Sequence, residues 1–145
     1  MPPRVELSPE LGVVGDRWLT HPTRSEESHV SFIDCRVANL LTGGDPKRLH
    51  LPGDNFHVDL DLSVEALPVG TRLRVGSAVV EITAKPHAGC KKFRARLGDD
   101  ALRWVNDHEL RTRRLRGVYG RVVTAGTVMM GDAIVVETRP PLSVG

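Results

Sequence analysis

Apolar and polar positions alternate with a period of two along several short stretches of this chain, the signature of strands with one buried face. Residues 56–60 (Phe-His-Val-Asp-Leu) show it most plainly, and 30–33 (Val-Ser-Phe-Ile), 71–75, 78–84, 118–124 and 133–138 read as further short strands. The later stretches are rich in valine, isoleucine and threonine, which suit a pleated surface. Gly70, the Val75-Gly-Ser-Ala78 corner, Gly126 and Gly131-Asp132 predict turns between strands. Two stretches break the pattern. Asp34 predicts an N-cap for a helix ending at Leu41, with Ala38 and Leu41 facing inward and Gly43-Gly44 stopping it, and residues 45–52 read as a loop. Residues 99–106, with two aspartates ahead of Ala101, Leu102, Trp104 and Val105, predict a second short helix. Short strands joined by Gly/Pro turns, without regular strand–helix–strand alternation, predict a mainly β fold, a barrel or closed sheet rather than a doubly wound one, with a few short peripheral helices.

Composition adds bounds. At 145 residues the chain is expected to be a single domain, residues 1–145, with no internal boundary, repeat or linker. It is 40% hydrophobic and 26% charged, and no apolar run approaches the ~20 residues of a membrane span, so a soluble chain is expected. The start, Met-Pro-Pro-Arg-Val-Glu-Leu, lacks the apolar core of a secretory signal, which predicts a cytoplasmic location. In a reducing compartment the two cysteines, Cys35 and Cys90, are read separately rather than as a disulfide. Cys35, among apolar neighbours, is expected in the core.

Charge is nearly balanced overall, with 20 Lys+Arg against 18 Asp+Glu, but not along the chain. Residues 85–121 hold 11 basic and 4 acidic side chains, net +7, whereas residues 1–84 hold 8 and 12, net −4. A local excess of this size is either an anion or nucleic-acid site or a solvated face. Within it, Lys85-Pro-His-Ala-Gly-Cys-Lys-Lys-Phe-Arg-Ala-Arg96 leaves a strand directly and reads as a loop. A cysteine flanked by lysines and arginines favours the thiolate, the form that attacks and ligates metal; the alternative for Cys90 is an inert buried thiol. His87, three residues earlier, is the candidate proton donor, because imidazole titrates nearest working pH; the alternative is a plain loop histidine.

Taken in series, Gly12-Val-Val-Gly-Asp-Arg-Trp18, Gly53-Asp-Asn-Phe56, Leu67-Pro-Val-Gly-Thr-Arg-Leu-Arg-Val-Gly-Ser-Ala78, Gly-Cys-Lys-Lys at 89–92, and Arg116-Gly-Val-Tyr-Gly-Arg-Val-Val123 before Gly126-Thr-Val and Gly131-Asp132 resemble a MOSC domain over about residues 12–137. The resemblance implies a β-barrel related to the C-terminal part of molybdenum cofactor sulfurase, with Cys90 as ligand to molybdenum or carrier of sulfur. It also implies reduction of N-hydroxylated compounds as one activity, with a molybdopterin cofactor and electrons from a reductase partner. In the sulfur-carrying alternative a separate sulfurase partner would hold pyridoxal phosphate. Two positions depart from the family pattern: no proline precedes Cys90, and Trp18 stands where a histidine often follows Gly-Asp-Arg. The additional N-terminal barrel domain of the larger reductases is expected to be absent.

Such a cofactor offers a soft metal at one end and a phosphate at the other. A thiolate suits the first. Lys91, Lys92, Arg94, Arg116 and Arg121 are candidates for the second, each also readable as a solvated surface charge, with Arg121 singled out because it interrupts an apolar strand. Asp16 and Asn55 are candidates to orient pterin nitrogens or to close turns. A nucleic-acid-binding barrel ranks last, since only Phe93, Trp104 and Tyr119 lie near the basic segment to stack bases. Glycine signatures for dinucleotides or a phosphate loop are lacking, and two cysteines are too few for a four-cysteine iron–sulfur cluster.

Overall fold

The computed structural model describes residues 4–14, 26–48, 51, 54–85, 87, 91–129 and 131–139. Asp16, Trp18 and Cys90 lie outside the described residues. In chain order the strands are β1 (Arg4–Ser8), β2 (Gly12–Val13), β3 (Val30–Asp34), β4 (Phe56–Val58), β5 (Arg72–Val75), β6 (Ala78–Ile82), β7 (Val118–Thr124), β8 (Gly126–Met129) and β9 (Ile134–Thr138). The helices are α1 (Cys35–Leu41), α2 (Lys91–Leu97) and α3 (Asp99–Val105), with short 3-10 turns at Glu26–Ser28, Pro46–Arg48 and His108–Arg113. None of the helices among the described residues is long and apolar enough to cross a membrane. Two compact units interleave along the chain, one from residues 1–30, 67–85 and 119–145, the other from 31–66 and 86–118.

The first unit follows the alternating pattern closely. In β5, Arg72 and Arg74 are exposed while Leu73 and Val75 are buried, and β6 and β7 continue with Ala78, Val80, Ile82 and Val122 on the buried face. Antiparallel register places Leu73 opposite Val80 and Val80 opposite Val122, so one apolar layer forms from three strands. The β5–β6 connection is the expected tight corner, with Gly76 at φ +59. A Cβ there would lie 2.3 Å from the Thr127 carbonyl oxygen, so the corner demands glycine for space as well as for conformation. Gly126, expected in a turn, is instead the first residue of β8, which pairs with β1. A Cβ on it would lie 2.4 Å from the Ala78 nitrogen; this glycine marks two backbones in close approach rather than a reversal.

In the second unit β3 lies parallel to β4, Phe32 beside Phe56 with their rings 5.6 Å apart. Helix α1 follows β3 without a loop because Asp34 caps it, accepting from the Arg36 N–H at 2.9 Å. It ends as its glycines predict: the Gly44 N–H reaches the Asn39 carbonyl at 2.8 Å and Gly43 the Leu40 carbonyl at 3.4 Å, both glycines at positive φ. Ala38 and Val37 are buried, and with Ile33 they form a cluster on which Leu41, Trp104 and Leu115 pack.

Three further expectations are corrected. The barrel is not closed among the described residues: β2 and β8 end the smaller sheet, and β4 and β9 end the larger. β4, only three residues long, and β9 each have one paired neighbour and are left as edges. Residues 91–97 form a helix, not a loop; Phe93 is its only buried residue, so no apolar stripe announced it. Cys35 is partly exposed at the first residue of α1 rather than in the core, because the chain turns from strand to helix there.

Candidate functional site

Among the described residues, the second unit holds a buried group of charged and titratable side chains assembled from three separate stretches. Asp54 stands just before β4, His87 follows the exit of β6, and Arg116 precedes β7. His87 Nε2 lies 2.7 Å from Asp54 Oδ1, and the Arg116 guanidinium donates to Asp54 Oδ2. The Asp54 side chain is 0% exposed, that of His87 6% and that of Arg116 9%, so the pairing occurs away from water. Arg116 also sits 5.1 Å from the centroid of the Phe93 ring, a cation–π contact that holds the one buried side chain of α2.

Local structure fixes each member. Asn55 locks the segment before β4 onto β3: its side-chain carbonyl accepts from the Ser31 N–H at 2.8 Å and from the Ser31 hydroxyl at 3.2 Å, while the Asn55 N–H donates to Ser31 Oγ at 3.0 Å. Arg116 is delivered by a turn in which Arg114 adopts φ +51 and the Gly117 N–H returns to the Arg114 carbonyl at 2.9 Å.

Burial pushes the His87 pKa below its ordinary value of 6.5, and Arg116 adds to this, while the hydrogen bond and charge of Asp54 act in the opposite direction. The imidazole is therefore neutral at neutral pH, and Nε2–H donates to the Asp54 carboxylate. Stability follows from the sign of the shift. Above pH 6.5 neither the folded nor the unfolded imidazole is charged; as pH falls below 6.5 the unfolded chain takes up a proton that the folded chain does not. Stability is thus expected to decline downward from pH 6.5 with a slope of up to about 1.4 kcal/mol per pH unit from this group. His57, also lowered by burial, contributes in the same direction. Urea melts across pH 5–8 should show a flatter profile for His87→Gln than for His57→Gln; an unchanged profile in His87→Gln would refute the assignment.

The other sequence candidates are distributed differently. Lys91 and Lys92 are exposed in the first turn of α2 and make no ion pair among the described residues. Arg94, on the same helix, pairs with Asp99 at 3.0 Å in solvent. Arg121 belongs to the first unit, where β7 places it beside Glu81 of β6 at 3.0 Å, and Arg72 of β5 holds the other Glu81 oxygen at 3.2 Å. The arginine that interrupts an apolar strand is thus one end of a cross-strand charge ladder. The structure brings His87 and Arg116 together, through a residue that sequence reasoning passed over. Asp54 directly precedes Asn55 in the Gly-Asp-Asn-Phe element, and an aspartate in a chain segment that also supplies a singled-out residue was the available signal.

A family model described as the MOSC domain matches residues 25–135. No curated protein matches by sequence. Among solved structures, the chain is similar to one described as a hypothetical protein, with TM-score 0.67 and 16% identity over 96% of this chain and 62% of that one. YiiM from Escherichia coli gives TM-score 0.62 and 16% identity over 97% and 65%, and the YUAD protein from Bacillus subtilis 0.54 and 17% over 90% and 82%. The chain spans less than two thirds of the first two structures, and at these identities the likeness is one of fold.

Proposed function

Since the chain belongs to the MOSC domain family, which is associated with the molybdenum cofactor, we propose that it holds molybdopterin, with Cys90 as the thiolate that ligates the metal or carries sulfur. The observation that carries this reading is the buried Asp54–His87 bond three residues before Cys90, followed directly by two lysines with no ion pair among the described residues. The residues fit the anionic end of such a group. Lys91 and Lys92 offer exposed ammonium charges, whereas Arg116 is balanced by Asp54 and serves to hold His87 in place. Asn55 contributes by fixing the segment that carries Asp54, its carbonyl being engaged by Ser31. Arg94, Arg121 and Asp16 remain secondary candidates for the pterin and phosphate oxygens.

When bound, the cofactor would supply a molybdenum centre that exchanges two electrons. For an N-hydroxylated compound the balance is R–NHOH + 2 e⁻ + 2 H⁺ → R–NH2 + H2O, with the electrons from a reductase partner. Neutral His87, its one N–H committed to Asp54, would hold the segment leading to Cys90 in place rather than give up a proton.

Molybdenum and pterin analysis of protein made in a cofactor-competent host tests the reading. Stoichiometric metal and pterin in the parent, with metal lost in folded Cys90→Ser, is the expected result. A persulfide on Cys90 without metal would replace it by sulfur carriage from a sulfurase partner, and neither would leave a β module without this chemistry. Lys91→Ala with Lys92→Ala should weaken pterin binding by roughly tenfold or more per lost charge-assisted contact, about 1.5–3 kcal/mol each. Lys47→Ala with Arg48→Ala removes the same formal charge from another exposed turn and should not. Equal losses from both pairs would show diffuse attraction only.

A further inference from the structure

A cavity of about 510 Å³ lies within the second unit, and its lining shares no residue with the Asp54–His87–Arg116 cluster. Its size is that of a small-molecule site. Buried Val37 and Leu62 give it an apolar floor. Around that floor stand the carboxylates of Asp34, Asp61 and Glu65 and the guanidiniums of Arg113 and Arg114. Asp34 is already committed to Arg36 through two contacts of 3.0 Å. Asp61 accepts from the Ser63 N–H at 2.9 Å, an interaction that holds its carboxyl below the usual range and therefore ionised. Arg114 is half-buried, donating to the Leu62 carbonyl at 3.3 Å. It is also the one non-glycine residue with positive φ among the described residues. Glycine is the residue such a turn ordinarily takes; arginine there keeps a guanidinium in the cavity wall at a backbone cost.

A simple anion entering this space meets carboxylates, and a simple cation meets guanidiniums. One ligand carrying both signs satisfies both. We propose that the cavity binds a small dipolar molecule of the α-amino-acid class, its carboxylate held by Arg113 and Arg114, its ammonium by Asp61 and Glu65, and an apolar side chain over Val37 and Leu62.

Calorimetric titration of the full chain with L-leucine, isocaproate and isopentylamine tests this, because the last two are the same skeleton without the ammonium and without the carboxylate. L-leucine should bind saturably, and each half-ligand at least about tenfold more weakly. Glu65→Gln should weaken L-leucine without weakening isocaproate, and Arg114→Gln should weaken both while sparing isopentylamine. No saturation by L-leucine up to about 10 mM, equal binding of the half-ligands, or L-leucine binding indifferent to Glu65→Gln would each overturn the proposal. Glu65 is exposed, so its variant decides the matter even if Arg114→Gln fails to fold.

Discussion

Asp54→Ala is expected to cost about 3–5 kcal/mol of folding stability, the typical penalty for breaking a buried ion pair from one side. The fully buried carboxylate accepts from both Arg116 and His87, and its removal leaves the Arg116 guanidinium, 9% exposed, without that counter-charge. The loss is a large share of the 5–15 kcal/mol that holds a typical domain together. Asp54→Asn separates the contributions: it keeps an acceptor for His87 but removes the charge, so most of the destabilisation should persist if the ion pair dominates. Adding Arg116→Met to Asp54→Ala should recover part of the loss, because a buried charge is replaced by an apolar side chain that can still pack on Phe93. Asp100→Ala, in an exposed i,i+3 pair with Arg103, is the control and should move the urea midpoint little. A loss at Asp54 no larger than at Asp100 would mean that the cluster contributes nothing to the fold.

What the sequence revealed was governed by whether a residue's role is local. The alternation in β5, β6 and β7 and the Asp34 cap with its Gly43-Gly44 stop concern neighbours a few residues apart, and they are found where the pattern predicts them. Helix α2 was hidden because Phe93 is its only buried side chain and the partner of that ring, Arg116, is 23 residues away. Gly126 misled for a related reason: glycine punctuates turns, yet this one is required by a chain that passes it from 48 residues earlier, at Ala78. The candidate site shows the same division. His87 was identifiable from its chemistry and its distance to Cys90, whereas the pairing that buries and neutralises it joins positions 54, 87 and 116. Nor could the strand pattern tell Arg121 as a ligand for phosphate from Arg121 as the partner of Glu81; register decides that, and register is set by the pairing of β6 with β7.

Register and close approach also explain why Gly117→Ala should be the second most damaging change. Gly117 has φ +116, and a Cβ there would lie 2.1 Å from the Phe32 carbonyl oxygen, with His87 Cδ2 at 3.4 Å on another side. The near atom is backbone in β3, whose residue Phe32 is itself stacked on Phe56, so nothing at the end of a flexible side chain can give way. Two costs combine: about 1–3 kcal/mol for an L side chain in that region of backbone space and about 1–3 kcal/mol for overpacking a close contact. Gly98→Ala isolates the first, because Gly98 has a similar φ of +94 but nothing within 4 Å of its would-be Cβ. The difference between the two urea midpoints, at equal m, therefore measures the contact between residue 117 and β3. The His87 imidazole resonances should also shift in Gly117→Ala and not in Gly98→Ala, since only the former lies against that ring. Equal losses at both positions would show that backbone conformation alone demands glycine at 117, and the close packing of this turn on Phe32 would then play no part in holding His87 and Arg116 together.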